Sequence, residues 1–301
     1  MAHAHRPFLA ILFRVIGFAL ISAMFALVKY LSETGMATAE MMFWRQLVTV
    51  PVVFGWLWST GKLHLLRTSR MSSHAVRAMI GMTCMALTFV TAIMLPLAEA
   101  TTLGFTTPVF AAIVAGLVLR EKVGPWRWSA VLIGFGGVLI IFQPGSHAVV
   151  PLGVAAGLLS SLLVAIVSFQ IKDLARTDHP VACVFYFALF GSLAMALTLP
   201  FTMTSHSPVQ WLTLLAIGAI GMMGQLFLTL ALKYGAVATV IVMDYSALIW
   251  AMLFGYLFWD QLPLPTTWIG APVVIAAGMI VIWREHVHAR SLSPRTAQEL
   301  E

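Results

Sequence analysis

Long runs of apolar residues constrain this fold more than any other feature of the sequence. About 17 to 25 apolar residues in a helix cross a hydrocarbon core of about 30 Å, and ten stretches of the chain have that length and character. Only 9% of the 301 residues are charged, and the mean hydropathy is +0.95, whereas a soluble domain has roughly 25% charged residues. The sequence therefore predicts an all-α polytopic membrane protein with ten transmembrane helices.

Short segments that carry Gly, Pro, Ser and charged residues join the ten predicted spans. In chain order the spans cover residues 10–31, 38–58, 75–95, 99–119, 126–142, 151–171, 180–201, 209–232, 236–259 and 266–283. The segments between them leave no room for a separate soluble domain. The polar residues at the end of the chain predict a disordered tail.

The basic residues are distributed unequally between the two sides of the predicted bundle. Lys and Arg near the ends of spans are retained in the cytoplasm. With ten spans, fifteen of the seventeen Lys and Arg residues fall on the side of the N-terminus, and Lys29 and Arg45 fall on the other side. We therefore expect an inner-membrane protein with both termini in the cytoplasm. The net charge of +6 then requires no nucleic-acid partner, and the expected partners are membrane lipid and a small-molecule substrate.

An internal repeat divides the chain into two similar halves. The stretch from Ala98 to Trp128 recurs about 140 residues later, with Gly116 aligned on Gly255. Because each half has an odd number of spans, the second half must cross the membrane in the opposite sense to the first, an inverted repeat typical of transporters with a central substrate site. The predicted units are a first five-helix repeat, a second five-helix repeat and a disordered cytoplasmic tail, at residues 1–146, 147–285 and 286–301.

The residues of this repeat also carry a family resemblance. Each half has a run of small residues and Thr before a proline or polar break, then a Gly, an acidic turn and a Trp that opens the last helix. These features lie at Thr101–Pro108, Gly116, Glu121, Trp128 and Gly136–Gly137 in the first half, and at Thr239–Ala247, Gly255, Asp260, Trp268 and Gly278 in the second.

This pattern resembles the EamA-type drug/metabolite transporter superfamily over nearly the whole chain. The Met-rich and aromatic character looks most like the YddG-type exporters of aromatic amino acids. The resemblance implies two inverted repeats, no enzymatic activity and export of small metabolites. The second half departs from the pattern because Ala247 stands where the counterpart of Pro108 would be, so identical motion of the two halves is not implied.

Two charged residues within predicted spans are candidates for substrate contacts. A charge near the centre of a membrane helix costs about 2.5 to 3.5 kcal/mol on insertion scales, so it needs a partner. Asp244 lies roughly 12 Å into its span and could hold a substrate ammonium group, a proton or a structural hydrogen bond. Arg45 lies roughly 10 Å from the outer face and could bind a carboxylate or a helix-end carbonyl.

Neutral polar, aromatic and sulfur side chains near the predicted centre form a second group of candidates. Ser and Thr in membrane helices more often bond their own backbone or a neighbouring helix, but their concentration on repeat-related helices favours a shared cavity. The predicted substrate-binding set is Asp244, Tyr245, Thr83, Gln225, Thr102, Thr106, Ser161, Arg45, Met82 and Trp250. Pro108 is the predicted hinge, because proline interrupts helical hydrogen bonding.

The sequence favours a secondary exporter of small amphipathic metabolites, most readily amino acids including aromatic ones. No metal or cofactor is expected, because Cys84 and Cys183 lie inside apolar spans and no phosphate-binding loop occurs. A multidrug exporter, a nucleotide-sugar carrier and a channel stay open as alternatives. A membrane-embedded enzyme lacks convergent catalytic motifs. Glycines at 134, 136, 137, 270 and 278 predict close helix packing, with a homodimer interface as one use.

Overall fold

The computed structural model describes residues 7–117, 125–142, 150–174, 176–234 and 243–298. Twelve α-helices lie within these ranges, together with the 3-10 turns Leu63–Leu66 and Met243–Tyr245. The α-helices are α1 Pro7–Glu33, α2 Thr38–Ser59, α3 Met71–Met94, α4 Leu97–Gly104, α5 Thr107–Leu117, α6 Pro125–Phe142, α7 Pro151–Leu174, α8 Pro180–Ala196, α9 Leu199–Thr202, α10 Pro208–Tyr234, α11 Ser246–Trp259 and α12 Pro265–Gln298.

The described chain is entirely helical and contains no strand. Five helical segments are long and apolar enough to cross a membrane: Phe8–Glu33, Met71–Met94, Leu97–Gly116, Pro151–Ile171 and Pro208–Ala231. These features confirm the all-α membrane class. The beginning of the ninth predicted span, residues 236–242, and the acidic turn at Glu121 lie outside the described residues.

The last helix extends further than the sequence suggested. Disorder was expected for residues 286–301, whereas α12 continues as helix to Gln298. This segment contains Arg, Glu, Ala and Leu, which have high intrinsic helix propensity. The backbone can therefore continue the helix beyond the apolar part of the span.

The fourth predicted span is broken into α4 and α5 at Phe105–Thr106. Pro108 has no N–H to donate to the carbonyl of Gly104, and its ring crowds that carbonyl, so a regular helix cannot pass. The carbonyl of Leu103 instead accepts the Thr106 N–H at 3.0 Å and the Thr106 hydroxyl at 2.6 Å. The break therefore results from the proline, and local polar groups satisfy the backbone that it frees.

Close packing of α6 against α12 uses the glycines for which the sequence had suggested a possible interface between subunits. A Cβ atom on Gly270 would lie 2.3 Å from Ile141 Cγ1 and 2.7 Å from the carbonyl oxygen of Gly137, and one on Gly137 would lie 2.8 Å from Val274 Cγ2. Gly134 likewise faces Val109 of the same chain. These three glycines join helices within one chain, whereas a Cβ atom on Gly136 would meet no atom within 4 Å, so the homodimer interface stays a prediction.

Polar side chains join the two halves of the sequence at the end of the bundle where α1 ends and α2 begins, here called the α1–α2 end. His206 Nε2 lies 2.5 Å from Glu40 Oε1, and the two side chains are 1% and 0% exposed. Glu99 accepts hydrogen bonds from the Leu264 N–H at 2.8 Å and the Thr267 hydroxyl at 2.9 Å. Buried carboxylates of the first half are therefore bound by groups of the second half.

A corresponding set of contacts lies at the opposite end, where α2 ends and α3 begins, here called the α2–α3 end. The 22 residues of α2 separate the two ends by about 33 Å. His74 Nε2 lies 2.6 Å from Asp178 Oδ2, and these side chains are 0% and 3% exposed. The Thr68 hydroxyl donates to the same carboxylate and is the largest cause that lowers the pKa of Asp178, with a smaller contribution from His74 and an opposing one from burial.

Candidate functional site

The principal cavity lies beside the break between α4 and α5 and has a volume of about 400 Å³. This volume falls within the range of roughly 300 to 1,000 Å³ that small-molecule pockets occupy. Its lining residues are Phe18, Ile21, Ser22 and Phe25 of α1, Thr88, Thr91 and Ala92 of α3, Leu97, Ala100, Thr101 and Gly104 of α4, Phe105, Thr107 and Pro108 around the break, Ser160, Ser161 and Val164 of α7, and Asp244, Tyr245 and Ala247 before and within α11. Both halves of the chain therefore contribute to one cavity.

Two segments that are not α-helical meet at this cavity. Phe105 occupies the break between α4 and α5, and Tyr245 ends the 3-10 turn that precedes α11. Their ring centroids are 4.9 Å apart in an edge-to-face arrangement, a favourable geometry for aromatic pairs. Non-helical backbone within a membrane protein is tolerated where it is buried or lines a cavity, and transporters commonly place substrate sites there.

Aromatic and aliphatic groups dominate the cavity wall, with hydroxyl groups between them. The hydroxyl of Ser161 donates to the carbonyl of Leu103 at 2.9 Å and so ties α7 to the end of α4. The Tyr245 hydroxyl donates to the carbonyl of Ile275 at 3.3 Å. These hydrogen bonds fix the wall, and the apolar surface between them suits a solute with an apolar or aromatic body.

An ion pair forms the charged edge of the cavity. Arg14 Nε lies 2.6 Å from Asp244 Oδ1, and Arg14 Nη2 lies 2.7 Å from Asp244 Oδ2. Arg14 also donates from Nη1 to the carbonyl of Leu228 at 3.3 Å, and its guanidinium carbon lies 5.1 Å from the ring centre of Phe18. The pair has the bidentate geometry that gives the strongest Arg–carboxylate contacts.

Four residues that the sequence singled out lie at the cavity. Asp244, Tyr245 and Ser161 are among its lining residues, as is the predicted hinge Pro108. Pro108 lies at the second position of α5, where it marks the start of a helix after a break. A substrate contact from the first three residues and hinge motion at Pro108 stay predictions.

Five other predicted contacts are not among the lining residues. Thr102 and Thr106 are buried and donate to carbonyls of their own segment, while their neighbours Thr101 and Thr107 line the cavity. Thr83 is exposed and donates to the carbonyl of Met79. Gln225 is exposed, and Trp250 is partly buried on α11. One step along a helix rotates a side chain by about 100°, so neighbouring threonines face different surroundings.

Met82 belongs to a separate Met-rich cluster of α1, α2, α3 and α10, and Arg45 contacts this cluster. Arg45 Nε donates to Met24 Sδ at 3.3 Å, and Arg45 Nη1 contacts Gln46 Oε1 at 3.1 Å and Met85 Sδ at 2.9 Å. Met82 accepts from Gln46 Nε2 at 3.4 Å. Neither residue lines the principal cavity, so their predicted substrate contact receives no support from this geometry.

Sequence reasoning missed Arg14, which it counted among the basic residues flanking the membrane. The helix begins at Pro7, so Arg14 lies about 10 Å along its axis and inside the apolar stretch. A charge within a predicted span is a signal for a functional or structural partner, and applying that criterion to Arg14 as well as to Asp244 would have made Arg14 a further candidate residue.

The fold and the site define an all-helical, multi-pass membrane protein with an internal cavity between its two halves. The sequence comparison then gives the family. The model of the EamA-like transporter family matches residues 8–143 and again residues 151–283. The chain belongs to the EamA-like transporter family, as the resemblance predicted.

Several curated relatives are named transporters. The pseudopaline exporter CntI of Pseudomonas aeruginosa strain UCBPP-PA14 is 28% identical over 257 residues, which cover 85% of this chain and 89% of that protein. A riboflavin transporter of Vibrio cholerae is 27% identical, covering 83% and 85% of the two chains. A riboflavin transporter of Rhizobium johnstonii is 34% identical over 63% of each. These names support a transport role over a catalytic one, and they do not single out exporters of aromatic amino acids.

A solved crystal structure shares the overall architecture. It aligns with a TM-score of 0.58 over 93% of this chain and 98% of its own chain, at 18% sequence identity. At this level of identity the similarity concerns the fold alone.

Proposed function

We propose that the protein is a secondary exporter that carries small amphipathic metabolites through the cavity beside the α4–α5 break. The observation that carries this proposal is the shared cavity itself: both halves line it, two segments that are not α-helical meet at it, and an ion pair forms one edge. Membership of the EamA-like transporter family supports transport as the activity. The bound solute would face mainly aromatic and aliphatic side chains.

Amino acids, including aromatic ones, are the first substrate class that we propose. Phe18, Phe25, Phe105 and Tyr245 offer aromatic surface, and hydroxyl groups between them can bind polar atoms. The likeness to YddG-type exporters leads to the same class. The names of the relatives add a second candidate, because riboflavin transporters and a pseudopaline exporter are similar over most of the chain.

We further propose that the chain forms ten spans in two inverted five-helix repeats, at residues 1–146 and 147–285. The two separate family matches support this division. The buried pairs at the two ends also fit it. Glu40 and Asp178 lie at the starts of α2 and α8, and His206 and His74 lie at the starts of α10 and α3. Each carboxylate meets the histidine of the other half, at opposite ends of the bundle.

This crossed arrangement suggests how alternating access operates. Opening the cavity to one side requires the halves to separate at that end while the other end stays closed. The Glu40–His206 contact would separate for one opening, and the His74–Asp178 contact for the other. Transport then needs no nucleotide hydrolysis.

The proposed orientation places both termini in the cytoplasm of an inner-membrane protein. Cysteines introduced at exposed Lys62, near the α2–α3 end, and exposed Ser205, near the α1–α2 end, test it. The native cysteines, Cys84 and Cys183, are buried and should give little background. An impermeant maleimide should label S205C in intact cells and K62C only after lysis. The reverse pattern would contradict the orientation.

A matched pair of glycine substitutions tests the use of the cavity. A Cβ atom on either Gly104 or Gly136 meets no atom within 4 Å, so both positions accept a leucine without an immediate backbone clash. Only Gly104 lines the cavity. G104L should lower counterflow of labelled phenylalanine, tryptophan or riboflavin in proteoliposomes at least tenfold, whereas G136L should keep the wild-type rate. Equal rates for both variants would refute transport through this cavity.

A multidrug exporter is the second candidate, favoured by the apolar lining and the adaptable aromatic surface. Transport assays in the same vesicles distinguish this candidate from a metabolite exporter. The multidrug function would be favoured if the vesicles exported cationic dyes, G104L abolished that export, and no amino acid or riboflavin showed counterflow.

A further inference from the structure

The Arg14–Asp244 pair lies at the edge of the cavity. Asp244 lines the cavity and its side chain is 29% exposed, while the Arg14 side chain behind it is 11% exposed. Both oxygens of Asp244 and two nitrogens of Arg14 take part in the pair. The two opposite charges therefore cancel at the edge of the cavity, where Asp244 lines the wall and Arg14 lies behind it.

The apolar surroundings of the pair strongly favour this cancellation of charge. Phe18, Ile21, Phe105 and Tyr245 are other lining residues of the same cavity, so the pair is set in a largely apolar environment. Charges interact more strongly in such surroundings than in water. An unpaired charge there is strongly disfavoured, and removal of one partner from a buried pair leaves the other uncompensated.

The consequence for a bound solute depends on its net charge. A neutral solute leaves the pair intact and occupies the apolar part of the cavity. A zwitterion also adds no net charge, since its cationic group can approach Asp244, which lines the cavity, and its own anionic group balances that charge. A solute with one unbalanced charge adds an uncompensated charge to the apolar site, whether or not it displaces one member of the pair.

We propose that the Arg14–Asp244 pair selects solutes of zero net charge and rejects monovalent cations and anions. Arg14 is then a specificity-determining residue. This inference rests on the proposed transport through the cavity and adds a charge rule to it. The rule covers zwitterionic amino acids and uncharged metabolites alike, so it does not depend on which of them is the substrate.

Four probes with the same phenyl body test the rule in the purified full-length protein. They are 3-phenylpropanamide, which is neutral, L-phenylalanine, which is a zwitterion, phenethylamine, which is a cation, and 3-phenylpropanoate, which is an anion. Binding is measured at pH 7 by isothermal titration calorimetry. The wild type should bind the two net-neutral probes at least tenfold more tightly than the two ions. Equal affinity for an ion and the neutral amide would overturn the rule without any variant.

Single substitutions should change the preference in opposite directions. Arg14→Gln leaves Asp244 unpaired, so phenethylamine should gain at least tenfold in affinity relative to 3-phenylpropanoate. Asp244→Asn leaves Arg14 unpaired, so the anion should gain by a similar factor. Arg70→Gln is the matched control, because it breaks an exposed ion pair with Asp173, and neither residue lines the cavity; it should leave the order of the four probes unchanged.

A purely structural pair gives a different result. In that case Arg14→Gln and Asp244→Asn would weaken all four probes by the same factor, and the inference would be wrong. If a single variant does not fold, the charge-swap variant R14D/D244R replaces it and should retain the preference for net-neutral probes; loss of that preference in a folded protein would overturn the rule. If the wild type binds none of the four probes, the rule is also wrong. The proposed function is tested separately, by whether G104L blocks counterflow.

Discussion

Removal of His206 should destabilise the protein strongly, because its partner Glu40 has no access to solvent. The two side chains are 1% and 0% exposed and lie 2.5 Å apart. Removing the partner of a fully buried carboxyl group leaves it without its hydrogen bond, which typically costs about 1 to 3 kcal/mol and more for a charged group. His206→Ala also removes the edge-to-face contact between the His206 and Trp211 rings, which are 5.1 Å apart. We expect a loss near the upper part of that range.

Substitutions of the two partners should destabilise the protein by different amounts. Glu40→Ala removes the carboxyl group itself and leaves only the His206 imidazole without its partner, so the cost should fall in the lower part of the same range of roughly 1 to 3 kcal/mol. The double variant E40Q/H206Q replaces both partners by amides that can bond each other, and it should recover most of the loss. Thermal unfolding in detergent, followed by tryptophan fluorescence, measures all three; for His206→Ala the midpoint should fall on the order of 10 °C.

An exposed ion pair provides the control for this prediction. Arg70 and Asp173 are 32% and 55% exposed and pair at 2.5 Å, and exposed pairs contribute at most about 1 kcal/mol. Arg70→Gln should therefore shift the midpoint by only a few degrees. If His206→Ala shifts it no more than Arg70→Gln does, burial of the Glu40 carboxylate does not govern the stability of this end, and the reasoning fails.

Two further changes test other parts of the structure. Gly270→Ala should lower stability by about 1 to 3 kcal/mol, because its Cβ would lie 2.3 Å from Ile141 Cγ1 and 2.7 Å from the carbonyl oxygen of Gly137; an unchanged unfolding midpoint would show that α6 and α12 adjust freely. The lowered pKa of Asp178 means that its contribution is present above the ordinary Asp pKa of about 3.9 and is lost as the pH falls through the lower folded value. Wild-type stability should thus decline below about pH 4, and Asp178→Asn should decline less steeply; equal slopes would contradict this assignment.

The membrane class and the family could be predicted from the sequence because they depend on local and repeated features. Hydropathy along consecutive residues identifies helices that can cross a bilayer, and the five long apolar helices agree with it. The break before α5 was also foreseeable, since Pro108 removes one backbone donor wherever the chain folds. The EamA-like match agrees with the motif that includes Gly116 and Trp128.

The candidate site was predicted only in part, because a span assignment does not state which way a side chain points. Thr101 and Thr107 line the cavity while the predicted Thr102 and Thr106 face the packed interior. A rotation of about 100° per residue separates these outcomes, and the rotation of a helix is set by its neighbours. Gly137 illustrates the same point, since its close contact with α12 rather than with another subunit depends on how α6 is placed.

The sequence by itself determined that the chain is a helical membrane protein with a repeated pattern and a family resemblance to transporters, because apolar length, proline and short motifs act locally. Tertiary structure decided which charges meet. Arg14 and Asp244 are 230 residues apart in the chain, and Glu40 and His206 are 166 apart. Each charge needs a partner in an apolar environment, but only the packing of distant helices determines which partner that is.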